Sequence, residues 1–156
     1  HVACPSDEYT IVVDTYGKLS WQAGTADGHP LLCIVSEQVS RSYLDELRAS
    51  GISWIAVGRE RIDLPRAMEI LHGRFGIKQV AVVGGGHICG GFLEAGLIDE
   101  VSILLAPGID GRKGQTAVFD GIADMECNPY RLRLESVERL ETDVVWLRYK
   151  MEKQKQ

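Results

Sequence analysis

The residues of this sequence best suited to chemistry by type and spacing are glycines. In Val80-Ala81-Val82-Val83-Gly84-Gly85-Gly86-His87-Ile88-Cys89-Gly90-Gly91-Phe92-Leu93 an apolar run leads into three glycines and then into a helical segment. Glycine reaches positive φ and lets a ligand approach the backbone closely. A helix starting just beyond such a turn offers unpaired N–H groups and the positive end of its dipole. Together these suit an anion, a pyrophosphate above all. Gly90 and Gly91 in the first turns cost about 1 kcal/mol each relative to Ala, which predicts close approach there by a ligand or a neighbouring strand. A tight strand-to-helix turn with no ligand is the alternative. No Gly-Lys-Ser/Thr follows, so this is not a Walker loop. The spacing Gly84, Gly86, Cys89 also lacks the third small residue of the Rossmann fingerprint, and the run is the fourth strand candidate, not the first.

Other chemistry-bearing residues give weaker signals. Arg59 and Arg61 follow a strand candidate and could pair with a 2′-phosphate, or stand as solvated loop charges. His72, His87 and Cys89 lack the spacing of metal ligands. No pair among Cys4, Cys33, Cys89 and Cys127 has the two-residue spacing of a zinc or redox motif. Cys33 lies in an apolar run and reads as a core residue.

The elements that must position the glycine turn follow from hydrophobic periodicity. Short runs rich in Val and Ile at Thr10 to Asp14, Leu31 to Val35, Ser53 to Val57, Gln79 to Val83 and Val101 to Ala106 show little alternation, as strands buried on both faces do. Ser40 caps a helix over Arg41 to Ser50, with Val39 stapled to Leu44 and Gly51 as the stop. A second helix runs from Asp63 to Gly76, its core face formed by Leu64, Ala67, Met68, Leu71 and Phe75. Pro107 to Cys127 is glycine-rich and irregular. Arg131 to Leu140 and Val144 to Met151 then form a hairpin. The order predicts one α/β domain over residues 1–156, with a mostly parallel mixed sheet that ends in antiparallel strands.

Composition narrows the function. Asp plus Glu number 22 against 17 Lys plus Arg in 156 residues, a net charge of −5. No basic stripe marks a nucleic-acid binder, and Lys150, Lys153 and Lys155 around Glu152 read as a solvated terminus. Apolar runs such as Ile103 to Pro107 are far below the roughly 20 residues of a membrane helix. Cysteine usage without a secretory signal predicts a reducing, cytoplasmic setting. The absence of an initial Met predicts residues upstream of His1.

Gly84 to Glu100 resembles the reductase domain of the riboflavin-biosynthesis bifunctional deaminase–reductases, a family with the dihydrofolate reductase-like fold. Leu93, Ala95, Gly96, Leu97, Ile98, Asp99, Glu100 and Pro107 match its pattern, as do Ile11-Val12-Val13-Asp14, Gly17-Lys18-Leu19 and Phe119-Asp120-Gly121. The resemblance covers about residues 10 to 150. It implies a three-layer α/β/α domain, often a homodimer, that binds NADPH and passes hydride to a pyrimidine-linked, other heterocyclic or carbonyl substrate. It places cofactor contacts at Ser36, Gly84, Gly85, Gly86, His87, Ile88, Cys89 and Gly90, and makes Asp99 and Glu100 structural. The family's Ser-x-Asp-Gly substrate loop has no counterpart before Tyr9 and is expected upstream. The family usually carries Glu just before the three glycines. Val83 occupies that substrate position here, and a carboxylate's hydrogen bonds have no apolar substitute. No catalytic residue is nominated. The rival expectation is a non-catalytic nucleotide-binding module that kept the phosphate loop.

Overall fold

The computed structural model describes residues 1–122 and 129–152, so Cys127, Lys153 and Lys155 lie outside the described residues. The chain divides into two compact units, His1–Ala81 and Val82–Gln156.

The first unit is built on β3 (His29–Val35). It pairs in parallel with β1 (Thr10–Val13) on one edge and with β4 (Ser53–Ala56) on the other. Its first residues, His29 and Pro30, pair antiparallel with the two-residue β2 (Thr25–Ala26). Alternate side chains of β3 then serve two cores. Leu31, Cys33 and Val35 pack with Tyr43 and Leu47 of α1 (Arg41–Ala49). Leu32 and Ile34 pack with Ala67 and Leu71 of α2 (Leu64–Phe75). The unbroken apolar run is therefore a strand buried on both faces.

Both helices have the predicted ends. Ser40 accepts the Tyr43 N–H at 3.2 Å, and Asp63 accepts that of Arg66 at 3.0 Å. Val39 and Leu44 pack against the same core cluster. Gly76 closes α2 in the left-handed conformation, φ 70°.

The second unit holds α3 (Gly86–Glu94) and a separate antiparallel sheet in the order β5-β7-β6. Its strands are β5 (Glu100–Leu105), β6 (Leu132–Arg139) and β7 (Val145–Met151). The hairpin is as predicted, with a register shift between Leu134 and Ser136.

Two expectations are corrected. Gln79 to Val83 forms no strand. An apolar β-branched run has the propensity, but a strand exists only where a neighbour takes its backbone hydrogen bonds. The Val101 run is a strand, but it pairs antiparallel with β7 and is not part of the parallel sheet. The described strands thus form a mixed sheet and an antiparallel sheet, in place of one sheet throughout.

Candidate functional site

The glycine turn opens α3 as expected. Gly84 has φ 124°, a conformation side chains rarely adopt, and the Gly84–Gly85 peptide is cis. Gly85 is the N-cap residue, with no side-chain hydrogen bond to the helix and no acid in the first turn. The N–H groups of Ile88 and Cys89 return to the Gly85 carbonyl at 2.9 and 3.1 Å. Those of Gly86 and His87 precede the first intrahelical bond and have no acceptor within the helix. A Cβ built on Gly84 or Gly85 would meet nothing within 4 Å. The turn is an open cradle of donors at a positive helix end, which fits a phosphate group.

Gly86 and Gly90 are glycine for a different reason. A Cβ on Gly86 would lie 2.5 Å from the Ala117 carbonyl oxygen, and one on Gly90 would lie 1.9 Å from that of Asp120. The close approach predicted at Gly90 is made by this chain's own segment 117–121. Gly90 is buried against that segment. Asp120 donates its N–H to the Gly86 carbonyl at 3.0 Å. Its carboxylate accepts the Gly121 N–H at 2.7 Å and lies 3.9 Å from Nδ1 of His87. Ala117 and Asp120 were not legible as site residues, because only the fold brings their segment to α3. Phe119-Asp120-Gly121 was visible as a motif without a role.

The other predicted residues are less engaged. His87 is exposed, and Ile88 and Cys89 are half-buried. Val83 is 96% exposed, so it does not end a buried strand as expected. In the first unit, Ser36 follows β3, is fully buried and donates its hydroxyl to the Thr15 carbonyl at 2.6 Å. Arg59 and Arg61 are exposed in the loop after β4.

Near Ser36, at the end of β1, the buried Asp14 carboxylate accepts the N–H groups of Lys18 at 3.1 Å and Leu19 at 2.9 Å and the Tyr43 hydroxyl at 2.7 Å. Tyr43 in turn accepts from Trp21 Nε1 at 2.8 Å. Burial raises the Asp14 carboxyl, but these donors outweigh it and hold it below the usual carboxylate range. The Asp14-to-Leu19 turn, matched by motif, is thus a structural network whose acid is already saturated.

Among the described residues no His, Cys, Asp and Glu side chains cluster as a metal site. No helix there is long and apolar enough to cross a membrane. A groove of about 510 Å³ lies in the first unit between β4 and α2, and a smaller apolar cavity lies in the second. Neither includes a predicted site residue.

The model of the RibD C-terminal domain matches residues 7–146, from before β1 into β7 and through the glycine turn. This chain belongs to that family. RibD-type relatives include the 2,5-diamino-6-ribosylamino-4(3H)-pyrimidinone 5′-phosphate reductase of Methanothermobacter thermautotrophicus. It is 32% identical over 120 residues, 76% of this chain and 55% of the relative. The protein of the same name from Archaeoglobus fulgidus is 31% identical over 83 residues, 53% of this chain and 36% of the relative. This chain spans about half the length of the first of these relatives and about a third of the second. In fold the chain is similar to a pyrimidine reductase-like protein of Corynebacterium diphtheriae, with TM-score 0.75 and 19% identity over 92% of this chain and 61% of that one. Acinetobacter baumannii RibD gives TM-score 0.69 and 20% identity over 91% and 37%.

Proposed function

We propose that this RibD-type chain serves an NADPH-dependent reductase of riboflavin biosynthesis, acting on a pyrimidine-linked ribosylamine 5′-phosphate. The observation that carries this reading is the uncapped glycine turn at the start of α3, inside the region the family model matches. The names of the relatives support the substrate class. The Gly86 and His87 N–H groups would take the cofactor's pyrophosphate, with Gly84 and Gly85 leaving room for it and His87, Ile88 and Cys89 forming the flank. Ser36 would act from the carboxyl end of the parallel strands by holding the Thr15 turn in place. The bound nicotinamide would supply the hydride. This chain's own residues hold the phosphates and keep the helix end aimed at them. Val83 would stand at the substrate side, where the family usually carries Glu.

In the same reading the two units belong to one dihydrofolate reductase-like α/β/α domain, since a single family model runs through both. The protein would work in the cytoplasm as a homodimer. The test is steady-state NADPH oxidation with 2,5-diamino-6-ribosylamino-4(3H)-pyrimidinone 5′-phosphate. Turnover on the order of 1 per second or faster supports the reading. Tight NADPH binding with no turnover would favour a nucleotide-binding module.

A further inference from the structure

We propose that Asp120 is a positioning residue for the phosphate turn, a role that rests on the cofactor reading above. Three glycines on two segments interlock here. Gly86 and Gly90 leave the space that the backbone of Ala117 and Asp120 fills, with no room for a Cβ at either position. Gly121, at φ 85°, turns the chain under His87, whose Cδ2 would lie 2.9 Å from a Cβ on Gly121. Asp120 is the pin of this interlock. Its N–H holds the Gly86 carbonyl, and its carboxylate fixes the turn by accepting the Gly121 N–H. Gly86 is the first residue of α3, and its own N–H is one of the two donors left for an anion. Whatever loosens segment 117–121 therefore loosens those donors.

The carboxylate also carries a negative charge beside the proposed phosphate position, and two substitutions separate charge from clamp. Asp120→Asn removes the charge and keeps an oxygen that accepts from Gly121. Asp120→Ala removes both. If Asp120 positions the turn, Asn binds NADPH at least as tightly as the parent, whereas Ala binds about tenfold more weakly despite losing the same charge. If the residue acted only through its charge, the two variants would behave alike.

The closing experiment uses the full chain and two readouts, with thermal melts confirming that each variant folds. Amide hydrogen exchange without cofactor follows Ile88 and Cys89, whose N–H groups close the first turn. Exchange there should be about tenfold faster in Ala and unchanged in Asn. NADPH fluorescence titration gives the affinities. Unchanged exchange in Ala, or equal exchange in both variants, overturns the positioning role whatever NADPH does. Faster exchange in Ala alone, with no NADPH binding by the parent, upholds the clamp and discards the cofactor reading.

Discussion

The Tyr43 hydroxyl donates to Oδ2 of Asp14 at 2.7 Å, joining the first helix to the end of the first strand inside the first unit. Asp14 is only 8% exposed, and its acceptor capacity is spent on Tyr43, Lys18 and Leu19. Its carboxyl lies below the usual range in the folded chain. It therefore adds stability that is complete above the unfolded carboxyl's pKa and is lost as pH falls through the lower folded value. Asp14→Asn should cost about 1–3 kcal/mol at neutral pH and flatten the acid limb of the stability curve. Urea denaturation across acid to neutral pH measures both. An unchanged acid limb would remove Asp14 from the stabilising network.

Cys33 is fully buried, and burial with the nearby Asp14 charge pushes its thiol up to about 12. The thiolate is the reactive form. At neutral pH, Cys4, which is exposed, should alkylate readily while Cys33 stays unmodified until the chain unfolds. Peptide mapping after iodoacetamide treatment, with and without denaturant, reads this directly.

Ser36→Ala removes the hydroxyl that Thr15 accepts and should cost about 1 kcal/mol. A lower melting temperature is the expected result. A weaker Kd for NADPH with an unchanged melting temperature would instead assign the hydroxyl to the cofactor itself.

The helices were legible because their ends are written locally. Ser40 and Asp63 sit at the cap positions, and Gly51 and Gly76 at the stops. The β3 core was legible because an unbroken apolar run has few homes. Gln79 to Val83 misled because propensity says nothing about whether a neighbouring strand is there to pair. The partner of β5 was hidden because strand direction is set by topology, and nothing in Val101 to Ala106 encodes it. At the site, the glycine turn was plain in the sequence. The reason for Gly90 was not, since the Asp120 backbone that excludes a side chain lies 30 residues further along and meets α3 only in the fold.

Val83 is almost fully exposed, so Val83→Glu should change stability by less than about 0.5 kcal/mol. Any change in turnover is then a change in substrate recognition. We expect the variant to raise kcat/KM for the ribosylamino-pyrimidine substrate. Steady-state NADPH oxidation by parent and variant decides it, and an unchanged value would exclude this position from the substrate site.

Gly85→Asp tests the central claim most directly. Gly85 is extended, with φ −72°, and a Cβ there meets nothing within 4 Å. Asp is also a favoured N-cap residue whose carboxylate can take first-turn N–H groups. The variant should fold with a melting temperature close to the parent's, yet its new charge and its claim on those donors should exclude a phosphate. In NADPH fluorescence titration we predict that Gly85→Asp weakens binding by about two orders of magnitude, on the order of 2–3 kcal/mol. A variant that folds and binds NADPH as tightly as the parent would contradict the placement of the cofactor at this turn.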